Sequence, residues 1–267
     1  MNDVKKIKAH SNKIYGIEMI GDYIITLEAT QRIKLWKLKE KELYLINSVE
    51  IQMPKAIRLS SIKVQDNEIF IGADNGYIIR VELNQTGQKK EELIGRYGSK
   101  RINVIQLIDQ GLIIGSVDGK IRLLNPKTLE EKYLYDTNQE KLRDIKKVNA
   151  DKLLALYDNG LILSLNIKNE KIEIKPYYTY NLDINSKDKI KSLDKLSVFN
   201  IDKAEQKMYI GTYKGDVLVS KIDDKPMLQR IGRVSRTRIN KILLQNDNII
   251  VCDDDGINKI SKGENSL

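Results

Sequence analysis

A single cysteine, a single histidine and only four prolines in 267 residues set the first limits on this chain. Cys252 has no second thiol with which to form an internal disulfide, which fits a reducing compartment and leaves the sequon Asn84-Gln85-Thr86 with little meaning. With His10 as the one imidazole, there is no pair to hold a metal, and none is left for a nucleophilic triad if His10 is structural. No apolar run approaches the roughly 20 residues that span a bilayer, and MNDVKKIKAH lacks the apolar core of a signal peptide. A soluble protein with an intracellular location, cytoplasmic or nuclear, is the expectation. No GxxxxGK[ST] occurs, and no GxGxxG opens a helix. The acidic run Asp253 to Asp255 lacks the further spaced ligands of a calcium loop, so it reads as an acidic turn. Those carboxylates would raise the thiol pKa of adjacent Cys252, the wrong direction for a nucleophile. The sequence thus predicts no enzyme, no cofactor and no metal.

What is abundant is charge. Lys and Arg number 46 against 37 Asp and Glu, a formal net charge of +9. Such a field favours anionic partners without naming one. The wealth of Ile, Lys and Asn is also what an AT-rich genome would produce. Apolar residues at 41% and charged residues at 31%, with no low-complexity block, describe a globular chain.

The pattern that organises the rest is Arg101 to Asn125, RINVIQLIDQGLIIGSVDGKIRLLN. Three short β-branched runs separated by Asp-Gln-Gly and Asp-Gly-Lys make an antiparallel meander. Taking Gly119 as a ruler, the equivalent positions are Gln31, Gly76, Gly119, Gly160, Gly215 and Gly256, at spacings of 45, 43, 41, 55 and 41 residues. An apolar run precedes each, and Ile33, Ile78, Ile121, Ile162 and Val217 follow two residues after it, with Asn258 in the sixth copy. Continuing from Gly256 through the C-terminus and back from Met1 to Gln31 spans 42 residues, the same period. A fourth strand is expected at 43–51, 91–97, 129–136, 172–180 and 227–234. The fold expected is therefore all-β, one domain: a six-bladed β-propeller of four-stranded antiparallel blades at about 10–51, 56–97, 100–136, 141–180, 195–234 and 237–262. The last blade lacks an outer strand, so residues 3–8, with Val4 to Ile7, are expected to pair onto it and close the ring. The extra residues of the 55-residue spacing form a polar loop at 181–195, either a solvated connection or a partner-binding loop.

His10 ahead of the first strand and Ile-Lys-Leu-Trp ending the third, with Trp36 closing the unit, resemble the GH and WD marks of WD40 repeats. The resemblance implies a hydrogen-bonded tetrad within a blade. His10, Thr26 and Trp36 match it, and Thr30 stands where an Asp belongs. The third unit supplies Ser116 and Asp118 but has Leu124 in place of Trp. The resemblance further implies protein binding, usually of a peptide laid across the mouth of the central channel.

Aligned by their first strands, the residues just before Ile14, Leu59, Ile102, Leu142, Leu196 and Ile239 are Lys13, Arg58, Arg101, Lys141, Lys195 and Arg238, all basic. In a propeller they would line one channel mouth, with Lys100, Arg143, Arg233 and Arg236 extending the field and Tyr15 beside it. Two readings stand. Each cation pairs with a turn carboxylate such as Asp118 or Asp255, although Thr30, Asn75 and Lys214 occupy that position in other blades; or the cations receive an anionic ligand. Candidates for that ligand are an acidic or phosphorylated protein segment, an inositol phosphate or RNA, for which Tyr15 and Tyr97 would be stacking partners. The expected role is a non-catalytic protein-interaction scaffold, a monomeric propeller within a hetero-complex. The alternative is a nucleic-acid-, phosphate- or inositol-phosphate-binding propeller of a ribonucleoprotein.

Overall fold

A computed structural model of the chain describes residues 14–20, 23–28, 31–39, 42–53, 57–84, 87–139, 141–168, 171–179, 195–223, 226–245, 248–253 and 257–262. Its strands fall in two compact units, Met1–Asp136 and Thr137–Leu267. In the first, β1 (Ile14–Ile20), β2 (Tyr23–Glu28), β3 (Arg32–Lys39) and β4 (Glu42–Glu50) form one antiparallel sheet. The second sheet comprises β5 (Leu59–Gln65), β6 (Glu68–Ala73), β7 (Tyr77–Leu83) and β8 (Lys89–Arg96). The third comprises β9 (Ile102–Ile108), β10 (Gly111–Ser116), β11 (Lys120–Leu124) and β12 (Glu131–Asp136). In the second unit the sheets are β13 (Leu142–Lys147), β14 (Lys152–Tyr157), β15 (Leu161–Lys168) and β16 (Lys171–Thr179), then β17 (Leu196–Asp202), β18 (Lys207–Thr212), β19 (Asp216–Lys221) and β20 (Gln229–Arg233). The last holds β21 (Ile239–Gln245), β22 (Asn248–Asp253) and β23 (Ile257–Ser261).

Every sheet is thus a sequential up-and-down meander, the blade of a propeller. Five blades have four strands rather than the six expected, and the sixth sheet has three among the described residues. The polar tail that follows β23 contains no strand pattern, and the expected donor, Val4 to Ile7, lies outside the described residues. So do His10, Lys13, Thr30, Asp254, Asp255 and the loop 181–194.

Burial grades across each blade. The second strand is covered on both sides, as in β10, where all six residues of GLIIGS are buried. The outermost is largely exposed, as in β12. A strand buried on both faces reads as a continuous apolar run, because each blade packs face to face on its neighbour. In the first unit Ile25, Leu27 and Ile33 meet Leu59, Ile69 and Ile71 of the next blade, and Phe70 and Ile78 meet Ile102, Leu112 and Ile114. In the second, Leu154 and Leu156 meet Phe199 and Ile210, and Val198 and Tyr209 meet Ile239 and Val251. Each such side chain withdrawn from water contributes roughly 1.5–3 kcal/mol.

Two repeated backbone features aim side chains at the blade edge. The ruler positions are left-handed: Gly76, Gly119, Gly160 and Gly215 have φ of 75°, 81°, 88° and 81°, and Gln31 adopts 49° in their place. The first strand of all six sheets carries a bulge just inside its start, at Tyr15, Ser60, Asn103, Arg143, Ser197 and Asn240.

Candidate functional site

The bulge and the turn glycine fix where the basic positions lie. In four blades the carbonyl of the residue before the first strand accepts a backbone hydrogen bond from the residue just after the second strand: Asp74 to Arg58 at 2.9 Å, Val117 to Arg101 at 3.0 Å, Asp158 to Lys141 at 3.3 Å and Tyr213 to Lys195 at 2.9 Å. These four cations therefore occupy one structural position. Arg238 joins them through the same strand register, Ile239 pairing with Asp253.

Their surroundings differ. In the first unit Arg101 stands 3.6 Å from the Asp74 carboxylate of the preceding blade. Together with Asn75, Ser99, Lys100 and Val117 they line a cleft of about 290 Å³. Arg58 is exposed and makes no ion pair among the described residues. In the second unit the buried Asp158 accepts a hydrogen bond from Arg143 Nη2 at 3.1 Å and lies 3.9 Å from Lys141 Nζ. Lys195 is exposed, and neither it nor Arg238 has a carboxylate partner among the described residues. Arg233 serves the fold instead, with its guanidinium on buried Asp216 at 2.8 Å, where Arg230 also bonds at 2.6 Å.

The compensating acids, Asp74 and Asp158, sit one residue earlier in the turn than the position the sequence reading inspected. Asp118, at that position, accepts from the hydroxyl of Ser116. Reading the residue immediately after each second strand would have found them.

That same position in the fifth blade is Tyr213, which sequence reasoning missed altogether. Its ring has the Arg238 guanidinium 4.7 Å from the centroid on the side of the following blade, and the Arg143 guanidinium at 5.4 Å from the preceding one. The Nε atoms of both arginines are buried with no hydrogen-bond partner among the described residues. Lys214, Lys195 and Arg236 lie in the adjoining segments. Tyr97, one of the two aromatics the sequence offered, is half-buried, and its hydroxyl donates to the Leu129 carbonyl of the following blade, which ties the ring down between two blades.

The tetrad expected in the first blade is represented by its described half: Trp36 Nε1 donates to Thr26 Oγ1 at 2.8 Å, both residues buried. Cys252 is half-buried, and burial first, then the charge of Asp253, pushes its thiol pKa up. Among the described residues no group of three acidic, histidine or cysteine side chains could hold a metal, and no helix is long and apolar enough to cross a membrane.

No protein-family model and no curated protein matches the chain. Solved structures do. The β-propeller domain of Myceliophteria thermophila Cps50 (Swd1) superposes with a TM-score of 0.75 at 13% identity, over 96% of this chain and 85% of that one. The WD40 β-propeller domain of Doa1 gives 0.69 at 17%, covering 96% and 81%. Saccharomyces cerevisiae Sqt1 gives 0.67 at 15%, covering 90% and 68%. The fold is that of a WD40 β-propeller, carried on a sequence that has diverged from these structures almost completely.

Proposed function

We propose that this chain is a non-catalytic interaction scaffold that docks an acidic segment of a protein partner at the basic entry of its first strands, inside the cell and as one subunit of a larger complex. The observation that carries this reading is the repetition of a cation at one backbone position in five described blades, with Arg58, Lys195 and Arg238 left without a carboxylate among the described residues. Like charges held on neighbouring blades of one unit, as Lys195 and Arg238 are in the second, repel, and a polyanion relieves that repulsion while gaining charge-assisted hydrogen bonds. Propeller edges suit this role, because the site is assembled from turns fixed by buried strands.

The RNA alternative is less well supported, since sequence-tolerant binding of single strands depends on open aromatic faces. Tyr97 is tied down by its own hydrogen bond, and Tyr213 is flanked by guanidiniums. The test is capture from lysate, with and without nuclease, by wild type and by the charge-reversed variants Arg58→Glu and Lys195→Glu/Arg238→Glu. Nuclease-resistant partners lost in the variants are expected. Capture indifferent to charge reversal refutes the reading. Capture abolished by nuclease, with log affinity falling linearly against log salt, would transfer the function to nucleic acid.

A further inference from the structure

Within the proposed docking function, the second unit holds one position where the repeat changes chemistry. After the second strand, blades two and four place an acid, Asp74 and Asp158, and Asp74 neutralises Arg101 of the following blade. Blade five places Tyr213 there, and the cation of the following blade is Arg238. An aromatic ring orients a guanidinium as firmly as a carboxylate does, but its quadrupole leaves the positive charge and the outward N–H donors in place.

We propose that Arg238, held over the ring of Tyr213, is a phosphomonoester-binding residue that selects a phosphorylated serine or threonine on the docked partner. This rests on the acidic-segment reading and narrows it. Further cations lie in the adjoining segments. Lys195 accepts the Tyr213 amide on its carbonyl, Lys214 follows in the turn, and Arg236 precedes by two residues. The described carboxylates nearby are engaged: Asp158 with Arg143 and Lys141, Asp216 with Arg230 and Arg233, and Asp253, which pairs in register with Ile239, with the side-chain amide of Asn258 at 2.8 Å.

The backbone that carries the arginine is itself anchored. Val234 donates to the Gly215 carbonyl at 2.9 Å, Thr237 donates its amide to Ser235 Oγ at 3.2 Å, and Gly215 packs so closely on Ser235 that no Cβ fits. A pre-set planar fork matches an oxyanion at two points. A phosphomonoester presents nearly two charges and three acceptor oxygens at one place, more than one carboxylate supplies. A nucleic-acid phosphodiester carries a single charge and wants a stacking face for its base, and the Tyr213 ring already has two guanidiniums within 5.4 Å of its centroid.

The experiment uses the full chain and a fluorescent Gly/Ser/Glu decapeptide, with and without one phosphoserine, followed by anisotropy at fixed salt. Phosphorylation is expected to tighten binding at least tenfold. Arg238→Lys, which keeps the charge and loses the fork, should abolish that increment, as should Tyr213→Leu, the increment being read within each variant as the ratio of its affinities for the two peptides, so that any change in basal docking cancels, while both melt at the wild-type temperature. Tyr213→Phe keeps the ring and should keep the increment. Equal affinity for the two peptides overturns phosphate selection and leaves docking standing, whereas binding of neither overturns both. An increment that survives Arg238→Lys overturns the assignment of the residue. Inositol hexakisphosphate or a U-rich RNA decamer binding more tightly than the phosphopeptide, with the same dependence on Arg238, overturns the assignment to a protein partner.

Discussion

Replacing Asp158 by Asn should move stability and anion binding in opposite directions, a combination that distinguishes masking of charge from simple damage. The Asp158 side chain is 7% exposed and the Arg143 side chain 20%, and their 3.1 Å hydrogen bond is charge-assisted. Such bonds contribute about 1.5–3 kcal/mol when removal leaves the partner poorly solvated. Arg143 is in that position, because its Nε already lacks a hydrogen-bond partner among the described residues. The second cation, Lys141, is 3.9 Å away and half exposed, so solvent screening limits it to a few tenths of a kcal/mol, at the low end of exposed ion pairs. The sum is about 2 kcal/mol, which for a chain of this size lowers Tm by roughly 4–8 °C. Removing the negative charge also unmasks two cations at the binding edge. At ~9 Å and an effective dielectric near 60, one charge contributes about 0.6 kcal/mol, or about threefold tighter binding of an acidic peptide at low salt, fading as salt rises. Thermal denaturation followed by circular dichroism, with peptide titration at two ionic strengths, measures both quantities. Weaker peptide binding by Asp158→Asn would refute the masking argument and show instead that the carboxylate holds Arg143 in its binding pose. An unchanged Tm would refute the structural part.

Three further outcomes follow from the same geometry. Thr26→Val leaves the buried indole N–H of Trp36 without its acceptor and should cost about 1–3 kcal/mol, seen in urea unfolding, whereas Trp36→Phe in the same background should add little because the orphaned donor is gone. Gly211→Ala would place a Cβ 2.6 Å from Ile239 Cγ2, where two blades of the second unit press together, and a loss of roughly 1–3 kcal/mol is expected; wild-type stability in that variant would show the contact to be soft. Lys262 links the sixth sheet to Asp202 and Glu205 of the fifth. The hydrogen bond from Lys262 lowers the Asp202 pKa, so the stabilisation from that acid is complete above the ordinary carboxylate range and is lost as pH falls through the lowered value. For Lys262, burial pushes the pKa down but the bonds to Asp202 and Glu205 outweigh it, and the raised pKa places the loss of its contribution above pH 10.5, as pH rises through it. Comparing the pH profiles of Tm for wild type and Lys262→Met, the two curves should converge at strongly acid pH and diverge near neutrality; parallel curves would refute the linkage.

How far the sequence carries the argument depends on the range of the interaction. The meander unit, its period and its turn position are legible because they are local. β-branched runs bounded by Gly and Asn or Asp specify strand and turn within a dozen residues, and five of the six ruler residues are indeed left-handed. The Thr26–Trp36 pair was legible for the same reason, two marks on adjacent strands at a known spacing. The number of complete blades was less so, since the sixth sheet needs a strand from outside its own repeat. At the candidate site, the sequence identified the repeated cation in each blade. It did not sort them into paired and unpaired, because Arg101 and Arg238 meet their partners, Asp74 and Tyr213, across a blade boundary some 25 residues away in the chain.

Periodic hydrophobicity and turn chemistry were therefore enough to write this chain as repeated antiparallel blades with a basic residue at each entry, because those signals act between near neighbours and survive the loss of almost all sequence identity. Which of those residues faces a carboxylate and which an aromatic ring was decided by packing between blades, where one turn presents Asp74 and another Tyr213. A one-dimensional pattern contains both residues, but not the few ångströms that decide which cation each one faces.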